Sequence, residues 1–105
     1  MTSKSPIIID LIVPPIHPGE ILADEIAARG LSVTQFARDL DVPTNRLTEI
    51  VAGRRSVTAD TALRLAAYLG TSARFWMNLQ ATYDLAITRQ DHGARILERV
   101  RPAAA

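Results

Sequence analysis

The chain has no cysteine, which excludes a disulfide framework, a cysteine-ligated zinc finger and a thiol nucleophile. Aromatic residues make up only 5% of it, too few for a stacking platform that grips single-stranded nucleic acid. No apolar run approaches the roughly 20 residues that cross a bilayer. The N-terminus does not read as a signal peptide, because Asp10 interrupts the short Ile7–Val13 run and Pro14-Pro15 closes it. Charge of one sign is also missing: 12 Lys+Arg stand against 11 Asp+Glu, for a net +1. That balance excludes a polybasic, sequence-indifferent binder of nucleic acid. His17, Glu20 and His92 are the only combination that suggests a metal, and the two histidines lie far apart with no HExxH-like pair. No glycine-rich phosphate loop is present and no Ser or Asp sits in a nucleophile context. The expectation is therefore no enzyme, no cofactor and no metal.

What is present is an ordinary globular composition, 48% hydrophobic and 22% charged over 105 residues, or one domain. The absence of cysteine fits the cytoplasm. Every basic residue except Lys4 is arginine, the side chain suited to planar, bidentate contact with phosphate or guanine. Residues 1–45 carry a net −3 and residues 46–105 a net +4.

The chain punctuates itself into short helices. Residues 1–15 form a separate arm: β-branched Ile7–Val13 favours an extended or strand-like path, and Pro14-Pro15 stops any helix. A helix starts at Pro18, with Glu20 in its first turn and Gly30 after its end. Ser32 and Gln35 have the spacing of a capping box and open a second helix through Leu40. A third is expected over about residues 44–52, ended by Gly53. Thr58 caps a fourth, with Leu63, Ala66, Ala67 and Leu69 as its expected core stripe. Ser72 caps a fifth that ends near Arg89, with Gly93 breaking it before a short amphipathic stretch and a frayed tail. The expected fold class is a compact all-α, five-helix domain, divided as arm 1–15, domain 16–91 and tail 92–105.

Function concentrates in Val33–Ala52, two short helices joined by a turn of about three residues, the spacing of a helix-turn-helix. Counting Val33 as the first of twenty positions, apolar residues occupy the fourth, fifth, eighth, tenth, fifteenth and eighteenth: Phe36, Ala37, Leu40, Val42, Leu47 and Ile50. The fifth must be small because the helices cross there, and Ala37 is. The ninth needs positive φ, usually glycine; Asp41 tolerates it better than most other residues. The second helix of such a motif enters the major groove of double-stranded DNA. Thr44, Asn45, Arg46 and Thr48 are the candidate base readers, since Asn pairs with adenine, Arg with guanine, and Thr touches a thymine methyl. Glu49 is expected to pair with Arg46 within the helix. Thr34 and Gln35, at a helix N-terminus, and Arg54 and Arg55, after Gly53, are the candidate phosphate contacts.

Around this motif stand His17-Pro18-Gly19-Glu20, Thr58-Ala59-Asp60-Thr61-Ala62-Leu63-Arg64-Leu65 and Leu69-Gly70-Thr71-Ser72. Phe75-Trp76-Met77-Asn78-Leu79-Gln80 and Tyr83-Asp84-Leu85 follow. Together these resemble HigA antitoxins of the Xre/Cro-like (lambda-repressor-like) helix-turn-helix superfamily, over about residues 16–88. The F-W-x-N-L-Q-x-x-Y-D-L run is the specific part. The resemblance implies a bacterial homodimer that binds and represses its own palindromic operator. It also implies a partner, a HigB-type toxin that is a ribosome-dependent mRNA ribonuclease. Trp76, Leu79 and Tyr83, with Phe75, form a large stripe on the fifth helix and are the expected dimer contact.

The arm departs from the family pattern. Ile7, Ile9, Leu11 and Val13 within Ser5–Pro15 carry high β-propensity and are expected to be covered by the chain itself, the dimer mate or the toxin, as an arm that crosses to the mate or adds to a sheet of the toxin. Two other readings stay open: a stand-alone Xre-family repressor without toxin, and a protein-interaction module on a decayed helix-turn-helix.

Overall fold

A computed structural model describes residues 14–104. The described residues form five helices: α1 Pro18–Ala28, α2 Val33–Leu40, α3 Thr44–Val51, α4 Ala59–Leu69 and α5 Ala73–Arg99. No strand occurs among them. The hydrophobic arm residues Ile7, Ile9, Leu11 and Val13 lie outside the described residues.

Local chemistry explains each start. His17 caps α1: its Nδ1 accepts from the Gly19 N–H at 2.8 Å, and the Glu20 carboxylate accepts from the His17 N–H at 3.3 Å. The reciprocal box expected at Ser32 is thus made here, while Ser32 Oγ caps α2 by accepting from the Gln35 N–H at 3.1 Å. Asp41 leaves α2 at φ 59°, ψ 49°, the left-handed cap the motif requires. Pro43 enters α3 with no side-chain cap, its fixed φ of −61° setting the approach. Thr58 and Ser72 open α4 and α5 through their hydroxyls.

The helices close on one core of Leu22, Ile26, Phe36, Ala37, Leu40, Leu47, Ile50, Val57, Ala62, Leu65 and Trp76. Burying a large side chain of this kind contributes about 1.5–3 kcal/mol, and these short helices depend on it. Ala37, fully buried, lets α2 and α3 cross closely.

Two expectations are corrected. The inward stripe of α4 is Thr61, Ala62 and Leu65, with Ala66 and Leu69 only half-buried, Ala67 exposed and Leu63 63% exposed. Ala62 and Leu65 lie three apart on one face, and Leu63 is turned about 100° from Ala62. In addition, α5 does not stop near Arg89 or break at Gly93; it continues to Arg99 and crosses the expected boundary between residues 91 and 92. A mid-helix glycine costs only about 1 kcal/mol relative to alanine, and Ala94, Arg95, Leu97 and Glu98 favour continuation. The helix ends where Val100 turns extended, two residues before Pro102. At 27 residues, α5 is about 40 Å long.

Candidate nucleic-acid interface

α3 lies with Leu47 and Ile50 buried and its other face outward. On that face Asn45 and Thr48 are exposed, while Thr44 and Arg46 are half-buried. Thr48 Oγ1 donates to the Thr44 carbonyl at 3.0 Å, which ties its hydroxyl proton to the helix and leaves its methyl for contact. Asn45 is thus the candidate reader with the most open amide.

Arg46 does not pair with Glu49. Its Nη1 donates to Asp60 Oδ2 of α4 at 2.6 Å. The helical spacing suited Glu49, but the first turn of α4 brings Asp60 against α3 and supplies a shorter contact. The same Asp60 oxygen accepts from Arg64 Nε at 3.0 Å. Arg46, then Arg64, hold the Asp60 carboxyl below its ordinary pKa. Glu49 pairs instead with Arg55, at 3.3 Å.

Thr34 and Gln35 are exposed in the first turn of α2, although the Gln35 N–H is already taken by Ser32. Thr34 and Thr44 line one shallow concavity with Arg38, Asp41, Val42 and Pro43. Arg38 was missed from the sequence. It lies one helical turn after Thr34 and so shares its face, a signal the spacing carried.

Arg54 and Arg55 leave the C-terminus of α3 through a Schellman turn: Gly53, at φ 79°, donates to the Ile50 carbonyl and Arg54 to that of Glu49, both at 2.9 Å. Two family motifs hold this corner in place. Gly19 of the H-P-G-E run approaches the Ile50 carbonyl so closely that a β-carbon there would stand 1.8 Å from its oxygen. The His17 ring packs edge-on to Tyr83, centroids 4.8 Å apart, fastening the same corner to α5. Gln80, buried, accepts from the Val57 N–H at 2.8 Å and donates to Asp84 at 2.9 Å, fixing the loop that carries both arginines. Neither role was visible from spacing alone.

The first half of α5 corrects one further expectation. Trp76 is 1% exposed and its indole N–H donates to Thr71 Oγ1 at 3.0 Å, so it is a core residue with no surface to offer a dimer mate. Leu79 and Tyr83 are half-buried and line an apolar groove of about 350 Å³ with Ile16, Ile21, Phe75 and Ala86. Phe75, 42% exposed, takes the outward position assigned to Trp76. Among the described residues no group of three or more His, Asp or Glu side chains converges to hold a metal, and no helix is long and apolar enough to cross a membrane.

Two short helices with this left-handed turn, the second turned outward and flanked by arginines, define a helix-turn-helix domain. A helix-turn-helix family model matches residues 22–76. Virulence-associated protein I of Dichelobacter nodosus is 49% identical over 80 residues, 75% of this chain and 74% of that protein. An addiction-module antidote protein of the HigA family from Coxiella burnetii superposes with a TM-score of 0.80 at 50% identity, covering 85% of this chain and 98% of its own. Pseudomonas aeruginosa antitoxin HigA, solved with the higBA promoter, superposes at 0.81 with 43% identity over 86% and 99%. The chain belongs to the helix-turn-helix family and, within it, to the HigA-type antitoxins.

Proposed function

We propose that the protein is a cytoplasmic, sequence-specific DNA-binding antitoxin that represses its own operon as a homodimer and neutralises a HigB-type toxin, an mRNA ribonuclease. The observation that carries the DNA reading is the outward face of α3, with Asn45 exposed between Thr44 and Arg46 and the anchored Arg54-Arg55 corner beside it. The relative from P. aeruginosa, structured with its promoter, supports the same reading. Thr44, Asn45, Arg46 and Thr48 contact base edges in the major groove, each bidentate pair discriminating by about 1–3 kcal/mol. Thr34, Gln35, Arg54 and Arg55 contact phosphates, joined by Arg38 beside Thr34. Leu79 and Tyr83, with Phe75, give the two-fold contact, which spaces two reading helices about one DNA turn (~34 Å) apart. Residues 7–13, with Ile7, Ile9, Leu11 and Val13, cross to the dimer mate or add to a sheet of the toxin. The chain serves no catalytic role.

Footprinting on the DNA upstream of its own reading frame, with co-purification of the product of the adjacent gene, tests this reading. Two protected half-sites one turn apart and a bound neighbour are expected. Independent half-sites on a chain that sediments as a monomer at micromolar concentration, or no partner from the adjacent gene, contradict the dimer and toxin parts respectively. Removing residues 1–14 with dimerisation and toxin binding both unchanged contradicts the role of the arm.

A further inference from the structure

The contact between α3 and α4 points beyond a list of DNA contacts. Asp60 stands in the first turn of α4 and its Oδ2 accepts from two arginines at once, Arg46 Nη1 at 2.6 Å and Arg64 Nε at 3.0 Å. Arg64 is itself clamped, with Nη1 donating to the carbonyls of Leu40 at 2.9 Å and Asp41 at 3.1 Å. Those carbonyls belong to the last residue of α2 and to its left-handed cap. The chain of contacts therefore runs from the helix-turn-helix turn, through Arg64 and Asp60, to a side chain of the outward helix. A long arginine loses rotamer freedom when it meets a base edge, and one already held loses less. A carboxylate at this distance also offsets the guanidinium charge, which lowers attraction to phosphates of any sequence.

We propose that Asp60 is a specificity-determining positioning residue: it fixes the Arg46 guanidinium on the reading face so that its remaining donors meet one base pair. The inference rests on the DNA reading above and deepens it. Arg64 sets where Asp60 stands, and Asp60 sets where Arg46 points. Asp60 is exposed, so its replacement by Asn keeps the shape of the side chain while removing the charge and one of the two acceptor oxygens.

The test is a panel of duplexes, starting from the sequence that the wild-type protein selects out of a randomised duplex library, with each base pair then substituted in turn. Binding is measured for the wild type, Arg46→Ala, Asp60→Asn, Asp60→Glu and the double variant Arg46→Ala with Asp60→Asn. Arg46→Ala is expected to lose roughly tenfold discrimination at one base pair. Asp60→Asn is expected to lose discrimination at that same pair, the double variant no more than Arg46→Ala alone, and Asp60→Glu to recover part of it. Asp60→Asn that retains wild-type discrimination at that pair overturns the inference. So does Arg46→Ala that changes no base preference, a result that leaves the DNA reading standing as long as the wild type still selects a sequence. A wild type that selects none overturns the DNA reading itself. If Asp60→Asn melts early, recovery of base preference in Asp60→Glu decides the matter in its place.

Discussion

The two sides of this domain are held by different forces. On the side of α2, α3 and the start of α4, polar groups are arranged in a linked set: Arg46, Asp60 and Arg64 reach back to the turn, Tyr68 donates to Asp39 at 2.8 Å, and Gln80 holds the loop before α4. Along α5, the surface instead gathers exposed apolar side chains. It carries the groove beside Phe75, Leu79 and Tyr83, and further along the helix Leu85, Ile96, Leu97 and Val100 are exposed, Leu97 to 83%. A polar ligand needs donors placed in advance, because mobile arginines bind any phosphate. A protein partner needs apolar area that packing can cover. One small chain thus separates a surface of placed polar contacts from a surface of unspent hydrophobic area.

The largest expected effect breaks the polar side at its foundation. Gly19→Ala drives a β-carbon into the Ile50 carbonyl, so α1 must move from the end of α3. Overpacking against backbone costs about 3 kcal/mol; urea unfolding should show it, and unchanged stability would mean that the close approach is not needed. Gln80→Leu comes next. It leaves the buried Val57 N–H without its acceptor, a loss of about 1–3 kcal/mol, and loosens the loop bearing Arg54 and Arg55. DNA affinity should fall with thermal stability, whereas a cost to stability alone would detach that loop from binding.

The apolar side predicts the reverse pairing of effects. Leu85→Ser and Leu97→Ser change exposed positions and should alter monomer stability by less than about 0.5 kcal/mol. They should nonetheless weaken association with a second copy or another protein, as read by ultracentrifugation and pull-down. Association untouched by both would leave the exposed row without a role. The smallest effect is in pH. Asp60 has a lowered carboxyl pKa, set first by Arg46 and then by Arg64. A depressed folded-state value means that its contribution is fully present above the ordinary Asp range and lost as pH falls through the lowered one. Wild type and Asp60→Asn should therefore differ at neutral pH and converge in strong acid, with added salt narrowing the gap.

Much of the fold was legible because caps and turns are local. His17, Ser32, Thr58 and Ser72 cap the starts of α1, α2, α4 and α5 within a few residues of themselves, Asp41 ends α2, and Pro43 sets the entry to α3. The helix-turn-helix core pattern was legible for the same reason: Phe36, Ala37, Leu40, Leu47 and Ile50 are buried at the positions their spacing required. Contacts across the chain were not legible. The partner of Arg46 lies 14 residues away, that of Gln80 lies 23 away, and Arg64 reaches 24 residues back to Leu40. Trp76 was misplaced because a helical stripe gives a face but not what covers it; the α1–α4 core covers that face here. The continuation of α5 through Gly93 was missed because glycine weakens a helix without ending it.

The central claim is that α3 reads duplex DNA, and Asn45 tests it most directly because its side chain is exposed on the outward face of that helix. Fluorescence anisotropy should compare wild type with Asn45→Ala on the selected duplex and on a scrambled one, at fixed salt. The account predicts about a tenfold or greater loss on the selected duplex, with binding to the scrambled duplex and the melting temperature unchanged. Equal affinity of the two proteins for the selected duplex would contradict it.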